Sequence, residues 1–79
     1  MLFKEAISSR ILELCDKFKI TPHNLANLSG VAPSTLRAIV VNEVNNPSSY
    51  VIYKICQTFK IELKDFYNSE LFNFNNLDD

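Results

Sequence analysis

Side chains able to do covalent or metal chemistry are few in this sequence and poorly spaced for it. One histidine, His23, and two cysteines, Cys15 and Cys56, fall short of a four-ligand zinc site. The cysteines lie far apart with no C-x-x-C, so they read as two small apolar side chains buried in a reducing compartment. His23 has no serine or carboxylate partner close in sequence; it reads as a surface residue or as a contact to a phosphate. The single glycine, Gly30, excludes the Gly-rich loops of nucleotide enzymes, which need several positions without a Cβ. No nucleophile with its base can be assembled, so the sequence reads as non-enzymatic, with no cofactor and no metal. What remains is hydrogen-bonding and ion-pairing chemistry in the middle of the chain. It comprises the Ser34 and Thr35 hydroxyls, the Arg37 guanidinium and the amides of Asn42, Asn45 and Asn46.

The elements that position these groups are helices. Phe3, Ile7, Ile11, Leu14, Cys15 and Phe18 fall on one stripe, with Lys4, Glu5, Ser8, Ser9, Glu13, Asp16 and Lys17 elsewhere, which predicts a first helix over Phe3 to Phe18. All three prolines stand where a helix begins, since the first turn does not need their missing N–H. Thr21 caps a second helix, Pro22 to Leu28, with Leu25 and Ala26 inward; Ser29-Gly30-Val31 ends it, Gly30 in the left-handed conformation. A third runs from Pro33 to Val41, with Leu36, Ile39 and Val40 inward and Ser34, Arg37, Ala38 and Val41 outward, behind a poor cap at Ala32. Ser48 caps a fourth, Ser49 to Phe59, which buries Ile52, Ile55, Cys56 and Phe59. A fifth, Leu63 to Ser69, carries Leu63, Phe66 and Tyr67, with Glu62 and Asp65 near the positive end of its dipole. No repeat is expected, and Asn75 to Asp79 read as a frayed acidic end.

At 79 residues, 47% of them hydrophobic and 22% charged, the chain fits one small domain with a single core. The longest apolar run, Ala38 to Val41, is far short of the ~20 residues of a membrane span. Met1-Leu2-Phe3-Lys4-Glu5 breaks into charge before a signal-peptide core can form, so the expected location is the cytoplasm. A net charge of -1 and a pI near 5.7 are not the global signature of a nucleic-acid binder.

Two short helices joined by a turn holding the only glycine suggest a helix-turn-helix, which presents its second helix to the major groove. The stretch from Ile7 to about Tyr67 resembles, without a gap, the Cro/phage-repressor (XRE) type of helix-turn-helix domain. Leu25, Val31, Leu36 and Ile39 stand where that motif needs apolar contacts, Ala26 where its helices cross closely, and Gly30 where its turn needs positive φ. Asn46-Pro47-Ser48 resembles the opening of the family's fourth helix, and Ile61 to Phe66 its fifth. The resemblance implies an all-α, lambda-repressor-like bundle of five short helices. It also implies a sequence-specific regulator of prokaryotic or phage type, repressor-like and homodimeric on a palindromic double-stranded operator. Residues 1–70 would form the DNA-binding domain and 71–79 a tail offering a dimer contact.

The chain departs from the family at its binding face. Pro22 and Pro33 stand where glutamines often open the two helices, and Val41-Asn42-Glu43-Val44-Asn45 replaces a basic loop. Ser29 takes a position more often apolar, and Cys15 and Val40 replace a frequent buried ion pair, an exchange that is often neutral or stabilising. The remaining groups still suit DNA: arginine matches guanine or phosphate, small apolar groups touch thymine methyls, and amides bond phosphate oxygens. The candidate contacts are Pro33, Ser34, Thr35, Arg37, Ala38 and Val41, with Thr21, His23, Asn42, Asn45, Asn46 and Tyr50 around them. Arg10, Lys17, Lys19 and Lys54 supplement them. Local readings stand beside these: Ser34 and Thr35 as first-turn caps, Tyr50 as a packing aromatic. Phe66, Tyr67, Leu71, Phe72 and Phe74 exceed what so small a core hides completely; they either cover the bottom of the bundle or form a homodimer interface, and the interface is the reading adopted. The rival expectation is a helix-turn-helix scaffold that binds a protein partner, as an antirepressor would, motivated by Glu43 and the low pI.

Overall fold

The computed structural model describes residues 1–79 and is built from five α-helices and two 3₁₀ turns, with no strand. The helices are α1 (Phe3–Lys17), α2 (Pro22–Ser29), α3 (Pro33–Val40), α4 (Ser49–Phe59) and α5 (Leu63–Tyr67); the turns are Glu70–Phe72 and Phe74–Asn76. Boundaries differ from the sequence reading by one or two residues, as fraying ends do. The Thr21 and Ser48 side chains accept from the Asn24 and Val51 N–H groups at 3.1 Å, while Ala32 caps α3 without any side-chain bond. α3 packs against both α1 and α2, α2 also lies on α4, and α5 closes the bundle against α4. Of the expected inward residues, Phe3 and Val40 are only half-buried against the core and Phe18 is 41% exposed; the rest, from Ile7 to Phe59, meet in one core with Val31 and Phe66.

Each of the first four helices ends in a left-handed residue: Lys19 (φ 59°), Gly30 (φ 75°), Asn42 (φ 66°) and Lys60 (φ 58°). At Lys19, Asn42 and Lys60 the next residue's N–H reaches back over the last turn: Ile20 to the Cys15 carbonyl, Glu43 to Ala38, Ile61 to Cys56. These are Schellman ends, which recover carbonyls that a stopped helix leaves unpaired. Two of them are written in the same letters, Cys15-x-x-Phe18-Lys19-Ile20 and Cys56-x-x-Phe59-Lys60-Ile61. The expectation of no repeat is therefore corrected. In both copies the cysteine is buried and the isoleucine packs against the core, the apolar contact that accompanies this motif. The two phenylalanines stack on one another, centroids 5.0 Å apart.

Three further expectations are overturned by partners distant in sequence. Ser8, placed on the outer side of the first helix, is buried, its hydroxyl donating to the Val40 carbonyl at 2.6 Å and tying α1 to the end of α3. The C-terminal end is not frayed. Met1 pairs with Asp78 through backbone and charge, and the Asp79 carboxylate accepts from the Phe3 N–H at 3.0 Å, at the positive end of α1. Phe72 packs on Phe3, Phe66 and Tyr67, so the tail covers the base of the core. Phe66 is itself a central core residue with no accessible surface, because it lies on the side of α5 that closes the bundle, while Tyr67 beside it stays exposed. Phe66 is removed from the dimer interface.

At Gly30 an added Cβ would meet only the end of the Lys54 side chain, 3.6 Å away, so the cost of a side chain there is conformational. Gly30→Ala is expected to lose about 1–2 kcal/mol in urea unfolding, with the helical circular dichroism spectrum unchanged. A loss above about 3 kcal/mol would place a steric clash at the turn instead.

Candidate nucleic-acid interface

The α2–α3 unit is held from inside by Leu25, Ala26, Leu36 and Ile39, with Ala26 2% exposed where the helices approach. Ser29, at a position more often apolar, is satisfied locally: its hydroxyl donates to the Ala26 carbonyl and accepts from the Val31 N–H, both at 3.3 Å. The hydroxyl thereby braces the turn. Between the two helices the surface opens into a groove of about 310 Å³. Ala26, Leu36 and Val40 line it together with Pro22 and His23 from the start of α2 and Pro33, Ser34 and Arg37 from α3. Both helix N-termini thus frame one concavity, and both begin with a proline ring in place of an N–H donor.

Of the candidate contacts, His23, Pro33, Ser34 and Arg37 are brought together around this groove and all four are exposed. Arg37 makes no hydrogen bond and no ion pair within the chain. The Ser34 and Thr35 hydroxyls are free as well, so neither acts as the local cap that was the alternative for it. Thr35 and Ala38 on α3 and Val41 at its C-cap lie outside the groove, Ala38 half-buried and Val41 exposed. Thr21 is occupied as the α2 cap. Asn42 terminates α3 with its Oδ1 buried and without a donor, while Asn45 and Asn46 are exposed in the loop beyond it. Tyr50, 64% exposed at the start of α4, tilts against Tyr53 and carries the Lys54 ammonium 5.3 Å from its ring centroid.

Sequence reasoning missed how the cations are used. Arg10, offered as a supplementary contact, is spent inside the fold: Nε donates to the Phe66 carbonyl at 2.7 Å and Nη2 to the Asp65 carbonyl at 2.8 Å, and Glu13 pairs with it. It satisfies the end of α5, a role with no local signal because the partners lie more than fifty positions away. Lys54, by contrast, sits beside Gly30 at the turn, and its spacing from Tyr50 already placed the two on one helical face. Charge is also unevenly divided. Residues 17–61 hold Lys17, Lys19, Arg37, Lys54 and Lys60 against Glu43 alone, a net +4, and the rest of the chain holds -5. Burial holds the Cys15 and Cys56 thiols above the ordinary thiol range, which keeps them protonated at neutral pH, and both are free of any disulfide.

Short helices, a close crossing at alanine, a left-handed turn and an open face of hydroxyls, amides and one free arginine define a helix-turn-helix protein of the DNA-binding class. The comparison with family models agrees: residues 10–70 match the Cro/C1-type helix-turn-helix DNA-binding domain, and the chain belongs to that family. No curated protein and no solved structure gives a significant match. No helix is long and apolar enough to cross a membrane.

Because Arg10 is committed to α5, Arg10→Ala is expected to destabilise the fold by about 2–3 kcal/mol. DNA affinity, measured at a temperature where both forms are folded, should stay the same. An affinity loss with stability intact would return Arg10 to the binding surface.

Proposed function

We propose that the protein is a sequence-specific, repressor-like transcriptional regulator of the cytoplasm, with no catalytic role, that reads the major groove of an operator with α3. The observation that supports this most directly is the unpaired, exposed Arg37 on the rim of the α2–α3 groove in a Cro/C1-type chain. In this reading Arg37 addresses guanine or phosphate, Ser34 and Thr35 offer free hydroxyls, and Pro33, Ala38 and Val41 give apolar contact to thymine methyls. Thr21, His23, Asn42, Asn45, Asn46 and Tyr50, with Lys54, serve the flanking phosphates. Residues 1–70 form the reading domain. Residues 71–79, besides covering the core, supply a homodimer contact through Phe74 with Tyr67, Leu71 and the exposed edge of Phe72. Two copies then place their helices on the two halves of a palindrome, about one DNA turn, ~34 Å, apart.

Selection from a random duplex library at low salt tests the reading, because a scaffold that binds only a protein partner enriches no sequence. With the selected operator, Arg37→Ala is expected to lose ~1–3 kcal/mol and to relax preference at one position per half-site, with circular dichroism unchanged. A uniform loss over a panel of single-base variants would make Arg37 a phosphate contact. No loss at all would move the protein to the partner-binding alternative.

The salt dependence follows from the same surface. With Arg37 and Lys54 as its nearest cations, the log–log slope of affinity against salt is expected to be shallow, about -2 to -4 for the dimer. A slope of about -7, that of ~8 phosphate contacts, would mean that a different and more basic face meets the DNA.

A further inference from the structure

The side chains that α3 offers to a base pair form a short chemical inventory. Neither α2 nor α3 contains an aspartate or a glutamate, and α3 contains no asparagine or glutamine. Amides are the side chains that pair twice with adenine, and carboxylates are those that accept from the cytosine amine. Helix α3 therefore has a dedicated partner for guanine, Arg37, and none for adenine or for that amine. The free Ser34 and Thr35 hydroxyls do not make up the difference, because a hydroxyl both donates and accepts and so meets thymine O4 or the cytosine amine alike. Pro33 is poorer still. Exposed at the first position of α3, it has no polar side-chain atom and no N–H. Its ring stands on the α2–α3 groove with Pro22, Ala26, Leu36 and Val40, an apolar recess of about 310 Å³ that is roomy for one methyl group. In the major groove the C5 methyl is the apolar group that a base pair presents. Thymine carries it, and cytosine gains the same group on the same carbon when it is methylated at C5.

We propose that at the base facing Pro33 the protein reads the C5 methyl group and not the base that bears it, so that 5-methylcytosine replaces thymine there and methylation of a C·G pair turns a weak site into a strong one. The assignment rests on the DNA-reading function proposed above and adds to it the ligand class of one position, a C5-methylated pyrimidine. The Pro33 ring and the apolar rim of the groove take the methyl out of water, which is the whole of the discrimination at that position. Ser34, next along the helix, tolerates either exocyclic group. Operator occupancy then depends on cytosine methylation as well as on sequence.

Fluorescence anisotropy on the full chain tests this with the operator selected from the random duplex library. Each thymine is replaced in turn by deoxyuridine, which lacks the methyl, and each position that responds is then rebuilt as C·G and as 5-methylcytosine·G. Each comparison keeps one opposing purine, so the change from adenine to guanine cancels. At the position facing Pro33, thymine is expected to bind about fourfold tighter than uracil, the worth of one buried carbon, and 5-methylcytosine tighter than cytosine by the same factor. Pro33→Ser should erase both preferences at that position and leave those at other positions, with circular dichroism as the check on folding. Should Pro33→Ser unfold, Pro33→Ala takes its place, since alanine suits a helix and keeps only one carbon of the ring. A preference for thymine over uracil without a matching gain from cytosine methylation would mean that the base itself is read, and would overturn the proposal. So would an operator in which uracil replaces every thymine without loss, or methyl preferences that all survive in the folded Pro33 variant. A library that enriches no sequence would overturn the DNA-reading function itself.

Discussion

No helix in this protein exceeds 15 residues and three have eight or fewer, lengths at which an isolated helix is marginal in water. Where each helix stops therefore decides where the next begins and whether their apolar faces meet. The stops are left-handed residues, and in a chain with one glycine three of the four carry side chains. A side chain in that conformation costs roughly 1–2 kcal/mol. The cost is offset by recovered carbonyls and by the apolar contact of Ile20 and Ile61 with the core. The repeated Cys-x-x-Phe-Lys-Ile segment is this device used twice, and the Phe18–Phe59 stack brings its two copies together. Once α1 stops at Lys19, Thr21 and Pro22 start α2; once α2 stops at Gly30, α3 starts at Pro33 with its exposed side facing away from the core.

What could be read from the sequence follows from which of these determinants are local. Apolar stripes, the Thr21 and Ser48 caps, proline at the first helical position and the Gly30 turn each depend on residues within one turn of each other, and they yielded five helices and nearly all of the core. Ser8, Arg10 and Phe66 resisted because their roles are set by partners brought in by the completed fold: the Val40 carbonyl for Ser8, the last carbonyls of α5 for Arg10, a closed bundle base for Phe66. A hydroxyl on a polar stripe and an arginine on a helix look solvated until a distant carbonyl arrives. The repeated segment was visible as letters, yet its meaning as a helix ending needs the backbone conformation of two lysines. Similarly, Pro22 and Pro33 were legible as helix starts, and only the packing of α2 against α3 shows that both frame one groove.

The groove gives the candidate interface a different physical basis from a lysine-rich loop. A helix N-terminus offers unpaired N–H donors and a partial positive charge, and proline at the first position removes one donor while adding an apolar ring. Two such starts side by side leave a concave surface with an apolar lining, the free Ser34 hydroxyl and one guanidinium at its rim. Contacts of this kind depend on fit and on direction. Under the proposed reading they place the weight on base edges and thymine methyls more than on counterion release, so discrimination between sequences would survive changes in salt better than affinity would.

The net charge of the whole chain says little about such a surface, because electrostatic interactions in physiological salt fade over a Debye length of about 8 Å. Eight of the nine carboxylates lie outside residues 17–61, and several are already engaged: Glu13 with Arg10, Asp65 at the start of α5, Asp78 and Asp79 at the start of α1. The acidic balance is thus used largely to cap and close the bundle. The segment that carries α2, α3 and α4 keeps an excess of cations and a single competing carboxylate at Glu43. A pI of 5.7 and a DNA-binding face are compatible here because the fold puts the two signs of charge to different uses.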